Sequence, residues 1–119
     1  MPDIFLQEGG AKMAADVVVI LCTAAPPEAA IMAQELIGQR IAACVNIVPV
    51  QSVYRWKGEL CNDQEHLMII KTTKEGADRA VAAIRSLHSA EVPEIIVLPV
   101  ISGYTPYLEW VQQETRGNP

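Results

Sequence analysis

From Ile41 to Lys57 the chain reads IAACVNIVPVQSVYRWK, 17 residues with Val45, Ile47 and Val53 on one alternating parity and Cys44, Val48, Tyr54 and Trp56 on the other. A strand in a globular domain is about 5 to 6 residues and seldom exceeds ~10, so this run predicts one long, bent β-strand with apolar groups on both faces. Pro49 has no N–H to give to a ladder and marks a bulge, an edge position or a bend. Lys57-Gly58-Glu59 supplies a tight turn in which Gly58 can take a positive φ. The apolar run His66 to Thr73 returns as the second arm, with residues 60–65 as the join. A hairpin longer than its domain leaves backbone and apolar side chains uncovered, and pairing with another copy covers them. A homo-oligomer is expected before any function is assigned.

The remaining elements follow the same logic. Val17 to Thr23 is a continuous apolar run rich in β-branched residues, the pattern of a strand buried on both faces. Pro26-Pro27-Glu28 opens a helix whose stripe is Ala29, Met32, Ala33, Leu36 and Ile37, and Gly38 ends it. HLMIIKTT is apolar on both parities and belongs in the middle of the sheet. Lys74 to Ser89 carries Ala77, Ala80, Val81, Ile84 and Leu87 at helical spacing. IIVLPVI makes a fourth strand with Pro99 at an edge or bulge, and Thr105-Pro106 opens a last helix through Leu108 and Val111. The order β-α-β-β-α-β plus a closing helix is α+β and ferredoxin-like, with the sheet ordered 4-1-3-2. That topology places Cys22, Trp56, Glu59, His66 and His88 together at one end of the subunit.

Composition narrows the classes of function. The 119 residues make one domain, with residues 1–15 as a flexible N-terminal tail and 16–119 as the folded unit. A content of 50% hydrophobic and 19% charged residues suits a covered core. No run approaches the ~18 apolar residues of a membrane span, so no membrane partner is expected. The net charge of -5, without a Lys/Arg cluster, argues against nucleic acid. Cys22, Cys44 and Cys61 include no CxxC pair, which excludes a zinc ribbon and a disulfide framework and points to a reducing cytoplasm. No phosphate loop, GxSxG or HExxH is present, so no enzyme is expected.

Each chemically capable residue has a structural alternative. Cys22 and Cys44 lie in or near apolar strands, where a free cysteine is most often a small core residue. Cys44 belongs toward the opposite end of the sheet from Cys22, too far for a disulfide within one chain. Cys61 sits in a polar turn. His88 ends a helix, where an imidazole either caps carbonyls or ligates; with a Cys22 thiolate it would suit copper or zinc better than magnesium or calcium. Tyr54 and Trp56 would stack on a ligand or anchor an interface, and the interface is preferred. Lys71, alone in an apolar strand, would bind an anion in a cleft or pair with an acid such as Glu59 or Glu94 of a neighbour, and the ion pair is preferred.

LCTAAPPEAA, IAACVNIVPVQSVYRWKGEL, LMIIKTT, the H-x-x-E-V-P-E-I of His88 to Ile95, and YLEW ending at Trp110 occur in that order. Over about Val17 to Trp110 the chain resembles the CutA family of divalent-cation tolerance proteins. The resemblance implies a ferredoxin-like subunit in a cytoplasmic homotrimer, similar in architecture to the PII signalling trimers with their ligands in clefts between subunits. It also implies copper at Cys22 and around His88. Family members often have His-Pro-Tyr, sometimes preceded by a second histidine, where this chain reads Leu87-His88-Ser89-Ala90. Cys44, Tyr54, Trp56, Glu59, Lys71, Glu94 and Trp110 are the interface or cleft candidates. Two functions are expected to compete: a trimer that binds copper or another divalent cation directly, and a PII-like trimer that binds a small ligand or partner, with metal effects indirect.

Overall fold

Val17–Ala24 (β1) forms the inner part of a four-stranded antiparallel sheet, between Glu59–Thr73 (β3) and Ile95–Pro99 (β4), and Cys44–Trp56 (β2) pairs with the far side of β3. The computed structural model describes residues 16–115, and the tail expected over 1–15 lies outside them. Pro26–Gly38 (α1) and Lys74–Leu87 (α2) cover one face of the sheet, and Thr105–Thr115 (α3) closes the described chain. The strand order β2-β3-β1-β4 is the expected ferredoxin-like one.

Alternation in β1 sets the layers. Val18, Ile20, Cys22 and Ala24 face the helices and pack with Met68 and Ile70 of β3 against Ala29, Met32 and Leu36 of α1 and Ala77, Ala80 and Ile84 of α2. Ile20, Ile70 and Ile84 are fully buried, each worth about 1.5–3 kcal/mol relative to exposure. The opposite face is covered only at one end, where Leu108 and Val111 of α3 pack on Val17. Register places Leu98 opposite Val19, Ile96 opposite Leu21 and Val48 opposite Leu67 on that second face. Val48, Ile96 and Leu98 are 41–45% exposed there, an apolar surface left open in the single chain.

The hairpin is longer in its second arm than the sequence pattern indicates. Residues 60–65, expected as a join, are strand: β2 and β3 pair without interruption from Cys44↔Lys71 to Trp56↔Glu59. The cause lies in the turn. Lys57 (φ 51) and Gly58 (φ 82) both adopt positive φ, the two-residue geometry whose twist matches the flanking strands and pairs them from the first residue. The polar side chains of 61–65 are compatible with strand because this stretch has no core beside it. Ala24, the last residue of β1, pairs with His66, so the seven residues of β3 before His66 project as roughly 20 Å of two-stranded ribbon.

Two other boundaries differ from the pattern. β2 begins at Cys44 because Ile41 and Ala42 turn inward and are buried, with both amides donating to the Leu36 carbonyl. The Thr72 hydroxyl, itself buried, donates to the Ile41 carbonyl at 2.6 Å. The second helix stops at Leu87, and His88 follows in an extended conformation with its N–H on Ile84 O. Pro49, opposite His66, sits in an edge strand, and Pro99 ends the other edge strand. The four buried positions of α1, Ala29, Met32, Ala33 and Leu36, match the predicted stripe, whereas Ile37 is 41% exposed.

Candidate functional site

The carbonyl of Thr23, near the end of β1, collects the two residues singled out as metal ligands. Cys22 is fully buried and its thiol donates to Thr23 O at 3.7 Å. His88, with 5% of its side chain exposed, donates from Nε2 to the same oxygen at 2.7 Å. The other ring nitrogen, Nδ1, accepts the Ala90 N–H at 3.0 Å. A nitrogen facing a carbonyl carries the proton and one facing an N–H carries the lone pair, so these contacts fix the neutral Nε2–H tautomer. Glu28, in the first turn of α1, accepts the Ser89 N–H at 3.2 Å and lies 3.9 Å from His88 Nδ1. The Thr23 hydroxyl donates to Glu94 at 3.4 Å.

Electrostatics follow from this crowding. Burial, with smaller contributions from Glu94 and Glu65, pushes the Cys22 thiol up to about 12. Cys22 is therefore a protonated core thiol at neutral pH. Hydrogen bonding from Ser89 holds the Glu28 carboxyl below its ordinary value, against the opposing effect of burial. In the reduced, folded protein at pH 8, Cys22 is expected to react with a thiol–disulfide reagent at least about 100-fold more slowly than the half-exposed Cys61, with the difference abolished in denaturant. Mass spectrometry of timed, quenched samples reads the sites separately; equal rates in the folded protein would contradict this environment.

Of the residues expected at this end, Cys22 and His88 meet, and His66 is next to them in register opposite Ala24. Trp56 and Glu59 pair with each other at the far end of the ribbon, so they lie on the expected side of the sheet but in a separate place along β3. There Lys57 Nζ stands 5.6 Å over the Trp56 ring and 3.3 Å from Glu91. On the same ribbon the Tyr54 hydroxyl donates to Asp63, which raises it to about 12. Cys61 Sγ lies 3.8 Å from Glu59 O.

The remaining candidates are on the open face of the sheet. Cys44 is level with Lys71 and, through it, with Val19. Three residues along and two strands across place it roughly 14 Å from Cys22, beyond disulfide reach. Lys71 donates to Asn46 Oδ1 and lies 3.9 Å from Cys44 Sγ, and among the described residues no carboxylate pairs with it. Tyr107 of α3 has its hydroxyl raised by burial and then by Cys44, and its ring lies 5.5 Å from that of Trp110. Sequence reasoning missed the Thr23 carbonyl, which carries no sequence signal. It also missed Glu28, for which a first-turn acid beside a strand end was the available clue.

This donor set does not fit a bound metal as it stands. Copper at Cys22 and His88 requires a thiolate and a free imidazole lone pair, whereas the thiol is protonated and both ring nitrogens are engaged. Among the described residues no three His, Cys, Asp or Glu side chains converge as a metal-ligand group. No helix among them is long and apolar enough to cross a membrane.

Comparison with known proteins gives a consistent set of relatives. The profile of the CutA1 divalent ion tolerance protein matches residues 17–114. The divalent-cation tolerance protein CutA of Thermus thermophilus is 42% identical over 99 residues, covering 82% of this chain and 96% of that protein. The chain spans about half the length of the plant and human relatives it also matches. Among solved structures, the PII-like protein CutA from Nostoc sp. PCC 7120 has a TM-score of 0.81 at 34% identity, with 83% of this chain and 97% of that chain covered. The periplasmic divalent cation tolerance protein CutA from Archaeoglobus fulgidus has a TM-score of 0.82 at 31% identity, covering 84% of this chain and 99% of that chain.

Proposed function

Because the chain belongs to the CutA1 divalent ion tolerance family, we propose that it acts in the response to divalent metal ions as a homotrimer with ligand-binding clefts between subunits. The observation that carries this reading is the open apolar sheet face with its projecting ribbon, a surface that a single chain leaves wet and a second copy would cover. The name PII-like given to the Nostoc protein supports the cleft arrangement. Lys71 then faces a carboxylate of a neighbour or of a small ligand, since a cation covered without a partner is strongly unfavourable. Three free thiols support a reducing, cytoplasmic setting.

A second reading, direct copper binding by Cys22 and His88, is favoured by the convergence of both side chains on Thr23 O. Anaerobic calorimetry with Cu(I), and separately with Cu(II), on the reduced protein and on the Cys22→Ala/His88→Ala variant separates the two. Stoichiometric binding lost in the variant establishes the direct site. Metal uptake unchanged in the variant assigns the response to the clefts and removes the copper pair.

A further inference from the structure

Cys44 and Lys71 stand directly opposite each other as the first pair of the β2–β3 ladder, with both side chains on the open face of the sheet. The Ala43 N–H, bonded to Lys71 O at 2.9 Å, pins the two strands at this point. Lys71 Nζ lies 3.9 Å from Cys44 Sγ. Asn46, on the same face of β2, accepts a hydrogen bond from Nζ and keeps the amine beside the thiol. The separation is just outside the ~3–3.5 Å of a near-attack pair, and rotation of the lysine stem closes the gap. Both residues are half-buried, which leaves the pair open to a small solute. Neither other thiol of the chain is within reach of Cys44: Cys22 is roughly 14 Å away across two strands, and Cys61, opposite Tyr54, is roughly 30 Å away along the ribbon. An oxidised Cys44 therefore meets the Lys71 amine before any thiol of its own chain.

We propose that Cys44 and Lys71 are a modification site at which a hydroperoxide drives formation of a reversible sulfur–nitrogen bridge, a sulfenamide. The peroxide gives one oxygen to Cys44 Sγ: the S–O bond forms, the O–O bond breaks, the sulfur loses two electrons, and water or an alcohol leaves with the thiol proton. The neutral Lys71 amine then attacks the sulfenic sulfur; S–N forms, S–O breaks, and the hydroxyl leaves as water with one amine proton. A small thiol reverses the bridge by attacking the sulfur and releasing the amine, and a second thiol frees Cys44 and leaves as the disulfide of the two. The bridge turns an ammonium into a weakly basic nitrogen, so the open face loses the Lys71 cation. Where a carboxylate faces Lys71, as in the assembly proposed above, it loses its counter-charge; that consequence rests on the assembly, whereas the bridge does not.

The test uses the full chain, reduced and then freed of reductant under anaerobic conditions, treated with one equivalent of hydrogen peroxide and analysed by intact mass and tryptic mapping before and after dithiothreitol. The wild type is expected to lose the mass of two hydrogen atoms per chain, to show Cys44 and Lys71 in one linked peptide uncleaved at Lys71, and to regain its mass on reduction. Lys71→Arg, whose guanidinium stays protonated, is expected to lose the bridge and to accumulate Cys44 sulfenic acid, captured by a 1,3-diketone. Wild-type Cys44 recovered unmodified, as a sulfinic acid or in a disulfide overturns the bridge. A Cys44–Lys71 link that retains the peroxide oxygen overturns it as a sulfenamide. The same mass loss in Lys71→Arg also overturns it, because another group would then be the acceptor.

Discussion

In the proposed homotrimer, replacing Leu98 by Glu is expected to reduce the sedimenting species from three chains of 13.0 kDa to one. Leu98 lies opposite Val19 on the sheet face that α1 and α2 do not cover, and its side chain is 42% exposed in the single chain. In a closed trimer the substitution recurs in every interface. A carboxylate taken out of water without a partner costs several kcal/mol each time, more than a standard interface has to spare. Subunit folding is expected to survive because the side chain points away from the helix-covered core. Ile31→Glu, on the exposed side of α1 at 58% exposure, serves as the control and is expected to leave the mass at three chains. A trimeric Leu98→Glu protein would place the contact elsewhere, and a wild type that sediments as one chain at micromolar concentration would end the oligomer reading.

Gly76→Ala is expected to destabilise the subunit by about 1–3 kcal/mol, the reverse of the ~1 kcal/mol gain that helix propensity alone predicts. Gly76 is the third residue of α2, and its N–H is held at 3.0 Å by the hydroxyl of Thr73, which caps the helix. A Cβ there would stand 2.7 Å from Thr72 Oγ1 and 3.3 Å from the Ile41 carbonyl. Neither neighbour can yield easily, because the Thr72 hydroxyl is buried and bonded to that same carbonyl at 2.6 Å. Urea unfolding of Gly76→Ala, Thr72→Ala and the double variant at fixed protein concentration checks the origin. The double variant is expected to be more stable than the sum of the single effects by at least ~0.5 kcal/mol. An additive result, or a stabilised Gly76→Ala, would show that the close approach is relieved without strain.

The fold was legible because its signals are local and periodic. The run from Val17, the Pro26-Pro27-Glu28 helix start and the Lys57-Gly58 turn each state their geometry within a few residues, and the sheet order then follows from crossover handedness. Residues 60–65 read as a join rather than a strand because burial patterning marks a strand only where a core lies beside it; on the ribbon the turn sets the pairing instead. The site was half legible. The meeting of Cys22 and His88 follows from topology, since one precedes the end of β1 and the other directly follows α2. Their being already hydrogen-bonded depends on a backbone carbonyl and a backbone amide, Thr23 O and Ala90 N, and neither depends on residue type. Lys71 reads differently for the same kind of reason: its anion, if supplied by a neighbour, lies outside anything one chain's pattern encodes.

β2 and β4 leave the sheet with two bare margins, one 13 residues long and one 5. Margins of this kind are where sheets of different molecules fuse, strand against strand, without limit. Pro49 withholds a donor partway along the longer margin, and Pro99 does so at the end of the shorter. Neither margin therefore offers an unbroken ladder to a stranger. Pairing through the sheet face, as in the proposed homotrimer, then meets less competition from pairing at the margins. Resistance to strand-against-strand fusion thus rests partly on two imino acids that contribute no hydrogen-bond donor to the subunit in which they sit.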